Sequence, residues 1–348
     1  MRQISPLSRR SFTTTSAPQP VRVLLSKSTD PYLNLAIEDW LFHHGQYDKQ
    51  TLYLWRNEPT VVIGRNQNPW KECDVKALER DSIHLVRRSS GGGAVYHDLG
   101  NSCFSFFSDK SSYDKNKNSL IICDALRHFN ITASPNTRND ILVNDRKISG
   151  SAYRLSGKRC LHHGTLLIST HLHNLQKYLY VGNPYIKSAG VASVRSPVQN
   201  LSHYAPMLTH DLLMNAITKE FFHHYGHRCG VELLDEEEMK KIPQLSEAYE
   251  NLRKWGWRFG ETPSFEHKLQ YTFLWGTVSI HLHSEEGRFK KVEASSEPPE
   301  VLEGLSSLLE GKAYDRHGLS EAMEMMEDRG STVTQRRREV EEWLVREM

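Results

Sequence analysis

The 348-residue sequence lacks several features that would assign a class at once. No apolar run approaches the roughly 20 residues needed to cross a bilayer, which excludes a membrane-spanning helix. Charge of one sign is missing too: 44 basic against 42 acidic side chains leave a formal charge of +2. No bulk field therefore draws nucleic acid or an anionic surface. The five cysteines, Cys73, Cys103, Cys123, Cys160 and Cys229, are odd in number and form no CxxC pair. That argues against a zinc ribbon, a redox dithiol and a disulfide framework. GxxxxGK[ST] is absent, and so is GxGxxG ahead of a helix, so neither a P-loop nor a dinucleotide fingerprint is present. What remains is an ordinary globular composition, 38% hydrophobic and 25% charged, long enough for two domains.

Residues 1–20 stand apart. Arg2, Arg9 and Arg10 are their charges, Ser and Thr fill much of the space between, and no acid precedes Asp30. Without an apolar core this is not a secretory signal; it has the composition of a mitochondrial transit segment. From residue 21 onward, strands are predicted at 21–25, 51–55, 60–63, 83–88, 93–96, 102–107 and 161–169. Residues 140–143 and 146–149 flank Asn144-Asp145, a hairpin turn signal. Asp30-Pro31 is an N-cap followed by proline at the first helical position, and opens a helix to His44. Further helices are predicted at 118–129, 172–180 and 209–225. The elements interleave without strict βαβ alternation, which points to an α/β (α+β) mixed sheet with helices packed on it. After Trp255-Gly256-Trp257 the pattern changes. Gly260 to Pro263 reads as a linker, Val278, Ile280 and Leu282 alternate with polar residues as a strand, and Pro298-Pro299 opens a helix that Gly311 caps. The predicted organisation is a transit segment (1–20), a catalytic domain (21–259), a linker (260–265) and a small α+β accessory domain (266–348) with no chemistry visible in it.

Three clusters carry chemistry. In Arg87-Arg88-Ser89-Ser90-Gly91-Gly92-Gly93-Ala94-Val95-Tyr96-His97-Asp98, three glycines let backbone N–H groups approach an anion, and two arginines stand ready for phosphate or carboxylate oxygens. Lys147, in Arg146-Lys147-Ile148-Ser149-Gly150-Ser151-Ala152, follows a tight turn, and its local pattern fits either a lysine turned inward at a ligand or a solvated hairpin lysine. His162-His163-Gly164-Thr165 puts two histidines on opposite faces of a strand, which does not make a shared metal site. His223, His224, His227 and Cys229 read as solvated residues at a helix end, and no metal site is assigned.

These clusters, with Gly64-Arg65-Asn66-Gln67-Asn68-Pro69-Trp70, resemble the lipoate–protein ligase A and mitochondrial lipoyltransferase family from about Val21 to the C-terminus. The resemblance implies a catalytic domain related to biotin and lipoate ligases, followed by a small accessory domain. It implies that lipoate and ATP, with Mg²⁺ escorting the triphosphate, give lipoyl-AMP and pyrophosphate. A lysine on a lipoyl domain of a 2-oxoacid dehydrogenase E2 subunit or on glycine-cleavage H protein then takes the lipoyl group. By the same resemblance Lys147 is catalytic. Arg88, Gly93, Ala94, Val95, Tyr96 and Lys147 contact ATP, and Arg88, Gly92, His97 and Lys147 contact lipoate. The expected enzyme is a monomer of the mitochondrial matrix that binds neither nucleic acid nor membrane. Three alternatives stay open: a transferase using preformed lipoyl-AMP or acyl-CoA, a thioester acyltransferase working through Cys160, and a non-catalytic binder of lipoyl domains.

Overall fold

The computed structural model describes residues 19–137, 139–179, 183–194 and 196–348. The predicted transit segment, apart from its last two residues, and the predicted helix end at Tyr180 lie outside the described residues. A six-stranded mixed sheet forms the frame. Its order is Ser151–Ser156, Arg159–Leu167, Asn101–Asp109, Gln50–Trp55, Val21–Ser26, Val231–Leu234. Val21–Ser26 pairs in parallel with both neighbours, and the remaining pairs are antiparallel. The central Asn101–Asp109 strand is buried along nearly its whole length because both faces are covered. On one face Phe104 and Phe106 pack with Ile121, Leu126, Ile217 and Phe221 from the helices Lys115–Arg127 and His210–Tyr225. On the other, Tyr53, Trp55 and Phe107 meet Leu33, Ile37 and Leu41 of the helix Pro31–His44.

That first helix starts where the sequence says it should. The Asp30 carboxylate accepts from the amides of Tyr32 (2.8 Å) and Leu33 (3.2 Å), and Pro31 has no amide to leave unpaired. The Asn144-Asp145 turn also forms as expected. Both residues have positive φ, 47° and 61°, which a two-residue hairpin of this hand needs.

A three-stranded sheet, His84–Arg87, Thr60–Ile63, Val95–His97, lies beside the frame and carries the Gly-rich loop between its outer strands. The C-terminal region builds on the antiparallel strands Phe265–Phe273, Gly276–Glu285 and Arg288–Ser296. The short strand Ile186–Ser188 joins this sheet from the other side of the expected 259/266 boundary. Trp70 packs against Phe259, Phe265 and Tyr314, so the core runs on from one region into the other.

Several elements depart from expectation. Phe265–Phe273 is a strand that the polar interruptions in its sequence conceal. Ser151–Ser156 is a separate strand at the sheet edge, where its outward face needs no apolar residues. The single helix expected from Pro298 to Gly311 is split into a 3₁₀ turn at Pro299–Val301 and a short helix at Leu305–Leu309, because Gly304 takes φ +87° between them. Among the described residues no helix is long and apolar enough to cross a membrane.

Candidate active site

The Gly-rich loop leaves the end of one strand and returns on another, and close approaches decide its shape. A Cβ on Gly64 would sit 2.1 Å from the Gly92 carbonyl oxygen, and Gly92 itself has φ +94°. Both positions therefore exclude side chains.

The two arginines upstream do something other than wait for an anion. Arg87 is fully buried. Its guanidinium donates to the carbonyls of Gly64, Arg65, Gln67, Trp257 and Arg258 and to the Thr262 hydroxyl, over distances of 2.7 to 3.4 Å. It stitches the Gly64 turn to the chain leading into the C-terminal region and has no free edge for phosphate. Arg88 borders the cavity described below, yet its nitrogens donate to Ser90 Oγ and to the carbonyls of Val62, Gly91 and Gly93. Burial brings both guanidinium groups down to about 10, so they stay charged at neutral pH.

A buried chain of hydrogen bonds continues from Arg88. Ser90 Oγ is 2.8 Å from His163 Nε2, and His163 Nδ1 is 2.8 Å from Glu38 Oε2. With Arg88 donating to Ser90, the serine hydroxyl donates to His163, whose other nitrogen donates to Glu38. The residue types are those of a nucleophilic triad. Ser90, however, is only 3% exposed and does not line the cavity, so its hydroxyl serves to hold the loop.

The loop, Lys147 and the first sheet enclose a cavity of about 350 Å³. One end is apolar, walled by Leu35, Trp55, Val62, Val95 and Cys103. The other is polar, walled by Gly92, Gly93, Asp140, Gly150, Thr165 and Ser193. Lys147 lines the same cavity, with its Nζ 3.0 Å from Asp140 Oδ1 and about a quarter of its side chain exposed. Its backbone is fixed as well, donating to the Pro197 carbonyl and accepting from the Gln199 amide.

His97 borders the cavity and is 2% exposed. Asn57 Nδ2 donates to its Nδ1 (3.2 Å), which leaves the hydrogen on Nε2, an atom without a hydrogen-bond partner among the described residues. Burial, with Arg88 nearby, pushes this imidazole down to about 3, so it stays neutral.

The structure thus brings together Arg88, Gly92, Gly93, Ala94, Val95, His97 and Lys147 around one cavity. Tyr96 points away. Alternation along the strand turns its ring into the other core, where its hydroxyl accepts from Asn174 and its ring packs on Tyr178. Cys160 is buried and does not border the cavity, whereas Cys103 does, with a thiol that burial holds well above its usual range. Sequence reasoning missed Glu38, Glu72, Asp140 and Ser193. None belongs to a chemical motif in the sequence, and only the tertiary fold brings them to the site. On the far side, Asp124, Glu220 and His224 come within 4.8 Å of one another. His224 pairs with Asp124 and His128 with Glu220, so these groups staple two helices together.

The profile of the Lipoyl protein ligase A/B catalytic domain matches residues 30–222. That of the Bacterial lipoate protein ligase C-terminus matches residues 262–344. A lipoate-protein ligase A of Bdellovibrio bacteriovorus is 42% identical over 332 residues, covering 94% of this chain and 98% of that one. The crystal structure of P. falciparum LipL1 in complex with lipoate aligns with a TM-score of 0.63 at 30% identity, covering 93% of this chain and 99% of that one. A lipoate-protein ligase A bound with ATP aligns with a TM-score of 0.59 at 25% identity, covering 69% and 98%.

Proposed function

The chain belongs to the lipoate–protein ligase A family and is a ligase, and on that premise we propose that this cavity carries the complete reaction. Lipoate and ATP give lipoyl-AMP and pyrophosphate, and the lipoyl group passes to a carrier lysine. The observation that carries this reading is the position of Lys147 on a cavity that is apolar at one end and polar at the Gly-rich loop. An alkyl chain fits the apolar end, which sets its carboxylate near Lys147. Joining that carboxylate to an α-phosphate places two anions side by side, and the Lys147 ammonium offsets both as charge spreads in the transition state. Arg88, Gly93, Ala94, Val95, Tyr96 and Lys147 are the positions we assign to ATP. The buried Tyr96 ring limits that residue to its main chain. Arg88, Gly92, His97 and Lys147 are those we assign to lipoate. No nucleophilic side chain is needed, because the attacking amine belongs to the partner.

Mg²⁺ enters this reading with the triphosphate. Asp140 is the one carboxylate on the described cavity wall, which fits an ion held mostly by phosphate oxygens and water. Lipoate ligases modify lipoyl domains of E2 subunits. We take such domains, with glycine-cleavage H protein, as the partners, and the enzyme as a monomer of the mitochondrial matrix, a location that rests on the Arg-rich, acid-free residues 1–20.

The test is lipoate-dependent release of pyrophosphate from ATP by the purified chain, alongside lipoylation of an E2 domain. Lys147→Ala is expected to lose about 10²- to 10³-fold in adenylate formation with the fold retained. Transfer from supplied lipoyl-AMP without any pyrophosphate release by the wild type would replace the ligase with a transferase.

A further inference from the structure

We propose that Glu72, which lies outside the cavity, is a positioning residue for the nucleotide, acting through Ser193. The proposal rests on the ligase reading above. Residues 191–194 form part of the cavity wall, yet they are an exposed stretch of chain. Exposed backbone of this kind, with no strand partner, holds a fixed wall only if something pins it.

The pin is one carboxylate. Glu72 is 6% exposed, and a single oxygen, Oε2, accepts from both the backbone amide and the hydroxyl of Ser193, the former at 3.0 Å. With its hydrogen given to Glu72, Ser193 Oγ is free to accept. It takes the Gln67 side-chain amide at 3.1 Å and the backbone amide of Ala94 at 3.0 Å. Gln67 in turn accepts from the Gly64 amide with its other atom, at 2.9 Å. The Val191 amide donates to the Asn66 carbonyl at 3.0 Å, and the Val191 carbonyl accepts from Gln67. The 64–72 stretch thus grips the exposed wall and the Gly-rich loop together, through one serine hydroxyl.

Two consequences separate this from ordinary packing. The Ala94 amide, a donor the resemblance gives to ATP, is already occupied by Ser193. Nucleotide binding therefore draws on the loop amides that remain, and Ser193 sets where the loop stands. Releasing Ser193 would strip a buried carboxylate of two bonds, so the clasp stays closed while substrate is bound. The clasp holds Gln67 and the Ala94 amide of the Gly-rich loop, and none of Leu35, Trp55 and Cys103 is among its hydrogen-bond partners. Its loss should weaken ATP and leave lipoate nearly untouched.

The experiment uses the full chain with ATP and lipoate titrated separately by calorimetry, alongside steady-state pyrophosphate release. Glu72→Ala and Ser193→Ala are expected to raise Kd and KM for ATP tenfold or more, with the lipoate Kd within threefold. Glu72→Gln keeps one carbonyl oxygen able to accept both Ser193 bonds, and is expected to restore ATP binding to within threefold of wild type. If Glu72→Ala fails to fold, Ser193→Ala, an exposed position, carries the test. Unchanged ATP affinity in a folded variant overturns the proposal. So does parallel weakening of both ligands with a lowered melting temperature, which marks a purely structural bond. A wild type that binds ATP but releases no pyrophosphate defeats the ligase reading while leaving the clasp testable by affinity.

Discussion

Arg87 offers the sharpest separation between what its sequence position implies and what its surroundings do. Replacing it with lysine keeps the positive charge and the length but reduces five N–H donors to three. In the structure six acceptors converge on the guanidinium: the carbonyls of Gly64, Arg65, Gln67, Trp257 and Arg258, and Thr262 Oγ1. A lysine ammonium can serve three of them at most, leaving about three buried acceptors unpaired. Each hydrogen bond to a charged donor contributes about 1.5–3 kcal/mol, and an orphaned buried acceptor costs on the order of 1–3 kcal/mol. With partial relaxation, Arg87→Lys should lose roughly 3–5 kcal/mol, a large part of the roughly 5–15 kcal/mol available to a typical domain. Urea denaturation followed by tryptophan fluorescence measures it directly. Trp257 is a convenient reporter, since its indole N–H donates back to the Arg87 carbonyl at 2.7 Å. The scaffold account expects a midpoint well below wild type, with ATP affinity of the remaining folded protein changed little. A variant with wild-type stability and an ATP affinity reduced tenfold or more would refute it and make Arg87 the phosphate ligand that the bare sequence implies.

Three further outcomes follow from the same geometry. In Gly164→Ala the new Cβ would lie 2.5 Å from Phe104 Cζ and 2.7 Å from the Gly150 carbonyl oxygen, so a loss of about 1–3 kcal/mol in a urea melt is expected, with slower pyrophosphate release because Gly150 borders Lys147. Cys160→Ala should keep activity within about twofold, since this buried thiol is off the cavity; abolished activity with a trapped thioester would favour the acyltransferase mechanism. Stability should fall as pH drops below about 6.5. Burial holds His97 and His162 down to about 3 and His210 and His267 down to about 4, so between those values and 6.5 the unfolded chain binds more protons than the folded one. Each such group removes on the order of 1–2 kcal/mol between pH 7 and pH 5, and a urea midpoint that is flat over that interval would contradict their buried neutral state.

How much of this was legible in the sequence depended on whether the signal was local. The Asp30-Pro31 helix start, the Asn144-Asp145 turn and the strands at 51–55 and 60–63 are written in adjacent residues, and the structure has each. The Gly-rich loop and Lys147 were legible as chemistry because glycine triplets and a lysine among strand residues are unusual locally. Glu38, Glu72, Asp140 and Ser193 were not, because each gains its meaning from a partner outside its own element: Glu38 from His163 and Glu72 from Ser193, both far along the chain, and Asp140 from a lysine across a hairpin. The strand Phe265–Phe273 was hidden for a related reason. One of its faces is exposed and polar, so its apolar content is too low to stand out.

The arginine pair shows how much of a Gly-rich loop's shape rests on the side chains beside it. Three glycines give a loop freedom to approach an anion, but the same freedom leaves its amides unaimed. A peptide unit is planar and trans, so fixing its carbonyl also fixes the N–H on its opposite side. Arg88 Nη2 pulls in the carbonyls of Gly91 (2.7 Å) and Gly93 (2.8 Å), the peptide units whose N–H groups belong to Gly92 and Ala94. Those two amides are thereby turned away from the guanidinium. Ser193 collects the one on Ala94, and Gly92 lies on the cavity wall. The guanidinium also places a buried positive charge against the loop and on the cavity wall, where it lowers the cost of bringing in phosphate. Arg88→Lys, with three donors for the four acceptors Ser90 Oγ, Val62 O, Gly91 O and Gly93 O, is expected to weaken ATP. Calorimetry with ATP decides the point: an unchanged affinity would mean that the loop aims its amides without help from the guanidinium.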